Sequence, residues 1–567
     1  MSSRRLFTVA AALFMLATMQ ARQFETAREA VRNMGLGWNL GNTLDAADGQ
    51  PCPDIVRSET LWGQPVTKPE LMLMMREAGF GAIRIPVTWY PHMDADGKVD
   101  PAWMRRVHEV VDYVVDAGLY CLLNVHHDTG EGSQWLHASM ADYNRNRSRY
   151  EGLWRQIAEE FRDYDQRLLF ESYNEMLDKY NSWCFATYAS PDKYAEADAA
   201  DAYEAINSYA QSFVTTVRST GGNNAQRNLV VNTYGACSGS GTWNAHLKDP
   251  LRLMKMPDDT TQGHIAFQVH SYINVSNLAG AKAEADDMFS ALNTHLAAKG
   301  APVIIGEWGT ANNKEDDYTV RRQNVLGYAD YFVKRAVQLG FGTFWWMGIS
   351  DGPSRSLPAF SQPDLATTIL QAYHGADYAP RLTTTDDYDI VYTVNYNEQW
   401  QELNLCDHII NLSDYRGVRA ELGSIPTNGY LSIKVYGETE GKEQYATFPQ
   451  ATGATVNFSR STLGAKARRI TLQYTKTGDY SVSVIRAALI RADGTEEPVA
   501  ISPFWGCTVD LKVTRKPTGI GHVHSAAPLS SAIYDLSGRR LAAPHNGQIY
   551  IWNGRKYGSS VQPFRNP

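Results

Sequence analysis

Cysteine is scarce. The 567 residues hold six, Cys52, Cys121, Cys184, Cys237, Cys406 and Cys507, all far apart. Such spacing excludes a small disulfide scaffold, and with no C-x-x-C pair it disfavours a zinc ribbon. Cys121 falls in an apolar run and reads as a packed thiol, while Cys406 and Cys507 are a candidate pair in the later half. A basic surplus is missing as well: 53 Lys and Arg face 61 Asp and Glu, a net charge of −8, so the electrostatic footprint of a nucleic-acid binder is absent. Past residue 21 no apolar run is long enough to cross a bilayer. Neither H-E-x-x-H nor a three-histidine set occurs, so no metal and no other cofactor is expected. The first apolar run is not followed by G-x-G-x-x-G, which disfavours a dinucleotide fold. No serine elbow is read after a strand, which disfavours a Ser-His-Asp hydrolase.

What is abundant is aromatic: 14 Trp and 31 Tyr, whose flat faces suit sugar rings as well as protein cores. Length alone allows several domains. Residues 1–21 have the form of a signal peptide, with Arg4 and Arg5, an apolar Leu6–Met19 run and small residues at Ala17 and Ala21. The mature chain is therefore expected outside the cell or on its surface, with no membrane span.

From residue 22 to 380, eight short apolar runs alternate with amphipathic stretches: Gly35–Leu44, Ala82–Val87, Tyr120–His127, Leu168–Glu175, Asn228–Tyr234, His264–Tyr272, Pro302–Gly309 and Gly342–Gly348. Thr67-Lys68-Pro69-Glu70 reads as a capping box opening a helix that stops at Gly79. Asp100-Pro101 opens another, in which Trp103, Val107, Val110, Val111 and Val114 recur at helical spacing. Tyr203, Ile206, Ala210, Phe213 and Val217 mark a third. Eight βα units predict a closed (β/α)8 barrel, whose chemistry sits at the C-terminal strand ends. Those ends carry Asn39, Asn42 and Asp45; Arg84 and Trp89; His126, His127 and Asp128; Asn174 and Glu175; His270 and Tyr272; Glu307 and Trp308; Trp345 and Trp346.

Two glutamates on different strand ends of one barrel are what glycoside hydrolysis requires, one to protonate the leaving oxygen and one to attack or to activate water. Arg84 is placed to favour an ionised carboxylate. His270 and Tyr272, two apart on a strand, share a face. His126 and His127 are read as pointing to opposite faces, so that they cannot share a metal. Phe344 and Trp346 share a face opposite to Trp345, so one tryptophan floors the cleft and the other packs beneath helices.

Residues 27 to about 378 resemble glycoside hydrolase family 5, the cellulase family. The stretches that carry the likeness are Gly37–Asp45, Arg84–Trp89, Asn124–Asp128, Phe170–Glu175, Val269–Tyr272, Ile305–Gly309 and Phe344–Trp346. The resemblance implies a retaining enzyme with Glu175 as acid/base and Glu307 as nucleophile. It implies sugar-contacting roles for Asn42, Arg84, His126, His127, Asn174, His270, Tyr272 and Trp346. The implied partner is a β-glucan polysaccharide or oligosaccharide, and the implied activity is an endo-β-1,4-glucanase. A xyloglucanase, lichenase or β-mannanase on the same scaffold and an inactive carbohydrate-binding protein are the alternatives. Met176 departs from the family, which has proline after the acid/base.

Residues 383–515 switch to period-two alternation, as in Asp389–Asn395, Leu431–Tyr436, Thr455–Phe458, Ile470–Tyr474 and Tyr480–Leu489, with a hairpin turn at Ala492-Asp493-Gly494. That predicts an antiparallel β-sandwich similar to the modules attached to glycanases, with Trp400, Tyr430, Tyr436 and Trp505 as candidate sugar platforms. Residues 516–531 read as a linker. Residues 532–567 resemble a sorting segment of the type IX secretion pathway, although Gly558–Pro567 run on past its usual end.

Overall fold

The computed structural model describes residues 23–130, 135–185, 195–311, 318–383, 388–499 and 501–515, together with four short strands beyond them. The expected signal peptide and linker lie outside the described residues. Among these residues no helix is long and apolar enough to cross a membrane.

Eight parallel strands close into a barrel: β1 (Leu36–Asn39), β2 (Ala82–Ile85), β3 (Tyr120–Asn124), β4 (Leu168–Glu171), β5 (Leu229–Asn232), β6 (Ile265–Asn274), β7 (Val303–Ala311) and β8 (Gly342–Trp345). All eight expected strands are present. Several stop short of their predicted ends because the motif residues leave the sheet to form the cleft.

Alternation along the strands builds the barrel interior in layers. Ala82, Leu122, Leu169, Val230, Ala266, Ile304 and Phe344 form an apolar layer, closed from below by the helix Ala27–Met34. Gly37 completes this layer by having no side chain: a Cβ there would stand 2.2 Å from the Phe344 ring. Two residues further along, the inward positions turn polar: Asn39, Arg84, Asn124, Glu171, Asn232 and Gln268, all fully buried. Burying that much polarity is tolerable only if the groups satisfy one another.

The surrounding helices follow the sequence pattern. Asp100 caps the helix Pro101–Asp116, whose Trp103, Val107, Val110, Val111 and Val114 are wholly buried. The helix Pro69–Ala78 ends at Gly79 in a left-handed conformation, as expected. Its start corrects the sequence reading: Lys68 is the N-cap and no side chain caps it. Thr67 is engaged elsewhere, donating its backbone N–H to Glu59, which Arg106 also grips.

The chain continues through two antiparallel sheets. One is ordered β14 (Glu443–Thr447), β13 (Leu431–Gly437), β16 (Lys466–Tyr474), β10 (Glu402–Cys406), β19 (Ser502–Trp505), with β11 (Ile410–Asn411) beside β16. The other is ordered β15 (Gly453–Asn457), β12 (Tyr415–Leu422), β17 (Tyr480–Arg491), β9 (Tyr388–Tyr396), β20 (Thr508–Arg515), with β18 (Glu496–Pro498) beside β17. Their inward residues share one apolar core in a sandwich-like arrangement, and Leu357 and Ala359, from the segment after β8, join it. Gly494, with φ at 93°, makes the β17–β18 turn. The Cys406 and Cys507 thiols are free, so that candidate pairing is not made; Cys237 is disulfide-bonded.

Residues 516–567 form a separate unit, in which Ile533–Asp535, Arg540–Leu541, Ile549–Trp552 and Arg555–Gly558 make a small antiparallel sheet.

Candidate active site

Arg84, on β2, is the hub of the polar layer. All five of its N–H groups have an acceptor: Nε to Glu171 Oε2 (2.7 Å), Nη1 to Asn39 Oδ1 (3.0 Å) and Glu307 Oε1 (2.7 Å), Nη2 to Glu171 Oε1 (2.7 Å) and Asn174 Oδ1 (2.9 Å). Burial works against its charge, but the Glu171 and Glu307 carboxylates more than offset this and hold the guanidinium fully protonated.

Above this layer Glu175 and Glu307 face one another. Glu307 sits on β7 opposite His270 of β6, where a register shift turns both side chains into the barrel mouth. Tyr272 donates its hydroxyl to Glu307 Oε2 at 2.7 Å. His270 Nδ1 lies 2.8 Å from Glu175 Oε1 and 3.5 Å from Glu307 Oε2. Ligand atoms of Glu175, His270 and Glu307 all fall within 4.8 Å of one another. Burial raises the Glu175 carboxyl to about 7, and burial also raises Glu307, against the pull of His270 and Arg84. Burial lowers His270 to about 4, so its ring is neutral near pH 7. Its Nε2 faces the Gln268 amide, which leaves Nδ1–H to donate to the carboxylates.

Trp346 and His126 form one wall, their rings parallel at 6.0 Å. Trp345 turns the other way and packs edge-on to Trp308 at 4.7 Å, below the helices. The alternation read at β8 therefore holds. It fails after β3. That strand ends at Asn124, and His126 and His127 lie beyond it with their rings 4.5 Å apart and nearly perpendicular. They do not point to opposite faces. Nitrogens of both and a carboxylate oxygen of Asp45 come within 4.8 Å of one another, a donor set of the kind that holds a divalent metal. Each member already has a protein partner: His126 Nδ1 meets Asn124, Asp45 accepts the backbone N–H groups of Asn42 and Thr43, and His127 packs edge-on to Trp62. Asn42 is half-buried on this loop with φ at 60°, a left-handed turn fixed by its bond to Asp45.

The structure thus brings Arg84, His126, Asn174, Glu175, His270, Tyr272, Glu307 and Trp346 to one mouth, with Asn42 and His127 on the adjoining rim. Sequence reasoning passed over Glu171, although a carboxylate inside an apolar strand signals a buried cation partner. Met176 is buried, and its carbonyl accepts the Gly235 N–H, so the loop that follows is anchored. Of the aromatic residues that this loop carries in the sequence, Trp183 is half-buried and Tyr188 lies outside the described residues. One serine motif does occur: Gly348-Ile349-Ser350-Asp351-Gly352 has G-x-S-x-G spacing just past β8. Ser350 is buried and donates to the Ala359 carbonyl, so it is a structural link between turns.

A parallel eight-stranded barrel with two glutamates across its mouth, a hydrogen-bonded histidine between them and an indole wall defines a glycoside hydrolase of the (β/α)8 class. The pattern of the cellulase family, glycosyl hydrolase family 5, matches residues 45–351, and the chain belongs to that family. It is 33% identical over 334 residues to endoglucanase B of Neocallimastix patriciarum, covering 57% of this chain and 64% of that protein. It is also 33% identical over 345 residues to endoglucanase A of Clostridium longisporum, covering 58% of this chain and 60% of the relative. The chain thus spans less than two thirds of the length of these curated relatives. Among solved structures, a broad-specificity endoglucanase from an uncultured bacterium superposes with a TM-score of 0.60 at 56% identity, covering 62% of this chain and 98% of the other. A family 5 enzyme of Prevotella bryantii, solved with a xyloglucan tetradecasaccharide, superposes with a TM-score of 0.56 at 42% identity, covering 62% and 99%.

Proposed function

We propose that this chain is a retaining endo-β-1,4-glucanase in which Glu307 is the nucleophile and Glu175 the acid/base. The observation that carries the reading is the closeness of the two carboxylates, whose oxygens lie within 4.8 Å. That is the short separation of double displacement and leaves no room for the water that inversion needs between carboxylate and sugar. Burial keeps a proton on Glu175 near neutral pH, while Arg84 and Tyr272 hold the two oxygens of Glu307 in place. Glu175 gives its proton to the glycosidic oxygen as Glu307 attacks the anomeric carbon and the leaving chain departs. Glu175, now ionised, takes a proton from water, whose oxygen displaces Glu307 and releases the sugar.

The remaining side chains bind the ring. Arg84 can only donate, so the oxygen of Asn174 faces it and the amide NH2 is left for a sugar hydroxyl. Trp346 offers an apolar platform, and His126, His127, Asn42, His270 and Tyr272 line the ring's edge.

The 42% identity to an enzyme solved with xyloglucan favours branched β-glucan as a second substrate. Initial rates on carboxymethylcellulose, xyloglucan, lichenan and mannan, with Glu175→Ala and Glu307→Gln as controls, test the reading. Activity surviving in Glu307→Gln would overturn it.

Along the chain, the reading assigns residues 1–21 to export, 22–380 to the catalytic barrel, 383–515 to a β-sandwich like a carbohydrate-binding module, 516–531 to a linker and 532–567 to a sorting-like segment. Trp400 and Trp505 are exposed and fit a platform role, whereas Tyr430 packs against Tyr474 and Tyr480, and Tyr436 bonds to Glu402.

A further inference from the structure

We propose that Glu171, which lies beneath the cleft, is a positioning residue that governs how Arg84 meets Glu307. The inference rests on Glu307 being the nucleophile.

Glu171 ends β4, wholly buried, four residues before Glu175. It grips Arg84 through two parallel bonds, Nε to Oε2 and Nη2 to Oε1, each 2.7 Å. Such a fork fixes the plane of the guanidinium as well as its position. With that edge held, only Nη1 and the second hydrogen of Nη2 remain, and these reach Glu307, Asn39 and Asn174. Glu171 is steadied in turn by Asn124 Nδ2 at 3.1 Å and Asn232 Nδ2 at 3.3 Å, both to Oε1. Residues of β2, β3 and β5 thus converge on one carboxylate of β4, and Arg84 is the partner that it shares with Glu307.

Charge gives the arrangement a second consequence. Arg84 lies between two carboxylates, so its single positive charge is divided. The other titratable groups facing Glu307 are His126 at 3.9 Å, His270 at 3.5 Å, Tyr272 at 2.7 Å and Glu175. Burial holds both histidines neutral near pH 7 and pushes the Tyr272 phenol up. Arg84 is therefore the one permanent cation among these groups, and Glu171 is its counterweight. Without Glu171 the whole charge of Arg84 would fall on Glu307, making its carboxylate easier to form and weaker as a nucleophile.

An ordinary structural ion pair would show in stability and leave the pH profile where it was, so the test reads the profile. In the full chain, Glu171→Gln should lower kcat about 10–100-fold and move the acidic limb of kcat/KM down by about one pH unit or more. Glu171→Asp keeps the charge but withdraws the fork. It should lower kcat with the acidic limb within a few tenths of wild type. Wild-type kcat in Glu171→Asp, or an unmoved acidic limb in a folded Glu171→Gln, overturns the inference. Should the Gln variant fail to fold, the Asp variant alone decides through kcat. Labelling wild-type enzyme with a 2-deoxy-2-fluoro-cellobiosyl inactivator separates the two readings. Label on a residue other than Glu307 sinks the nucleophile assignment itself. Label on Glu307 with wild-type behaviour in both Glu171 variants sinks only the role given to Glu171.

Discussion

Nδ1 of His270 lies 2.8 Å from Oε1 of Glu175. The same nitrogen is 3.5 Å from Glu307 Oε2, so one ring edge touches both carboxylates. A neutral imidazole in that place donates to whichever carboxylate is ionised without adding a charge of its own. In the proposed reaction, as Glu175 gives up its proton and regains it, the Nδ1–H bond can follow the negative charge from one glutamate to the other.

The raised carboxyl of Glu175 costs stability on the alkaline side. Folding lifts it from an ordinary 4.5 to about 7. Below the ordinary value both folded and unfolded chains carry the proton and the group is neutral to stability. Above about pH 7 both have lost it, and the folded chain alone suffers the burial of the charge. Glu175→Gln should therefore melt higher than wild type at pH 8, by about 1–3 kcal/mol given that the group opens partly to the cleft. The gain should vanish at pH 4. Equal melting gains at both values in differential scanning fluorimetry would show that burial does not raise this carboxyl.

The two adjacent tryptophans of β8 should separate cleanly. Trp345→Ala removes a buried indole packed on Trp308 and should cost about 3–5 kcal/mol. Trp346→Ala removes a half-buried wall of the cleft. It should reduce kcat/KM more than 10-fold while shifting the melting temperature by only a degree or two. The reverse pattern would mean that the cleft-facing side of β8 is misassigned.

Much of this site was legible in the sequence because the apolar runs mark the strands and polar residues end them. Glu175, Glu307, His270 and Tyr272 stand where that pattern put them. Alternation misled at His126 and His127 because β3 stops at Asn124, and past a strand's end the period of two no longer fixes direction. The cap at Thr67 was misread because Glu59, eight residues earlier in the chain, takes its N–H through a tertiary contact. Glu171 escaped notice for a related reason: its partner Arg84 is 87 residues away, and only barrel closure brings them together.

The junction between barrel and sandwich makes a truncation informative. Leu357 and Ala359 are buried in the sandwich core, and the Phe360 N–H bonds to the Thr383 carbonyl. A chain ending at Ala379 exposes that apolar surface, and about 2 kcal/mol of stability should go with it. Its kcat on soluble glucan at 25 °C should stay within about twofold of the full chain, because the proposed site residues all precede Met347. Thermal melts and initial rates on the same preparation decide the matter. A folded truncation with more than a 10-fold loss on soluble substrate would mean that the sandwich completes the cleft.

The stereochemistry of the first product is the sharpest check on the proposed chemistry. On the proposed reading, Glu175 and Glu307, with carboxylate oxygens within 4.8 Å of each other, act from the two sides of one anomeric carbon. Glu307 is the nucleophile on that reading, its two oxygens held by Arg84 and Tyr272. Attack inverts the anomeric carbon once and hydrolysis inverts it again, so a β-glucan should first yield β-configured reducing ends. Proton NMR of the anomeric region during the first minutes, before mutarotation, reads this directly. In parallel, Glu175→Ala should slow unactivated cello-oligosaccharides by several orders of magnitude while sparing dinitrophenyl cellobioside at the glycosylation step, because that leaving group departs without a proton. Early appearance of the α-anomer would require water to attack from a site this geometry does not leave open, and the double-displacement assignment would fall with it.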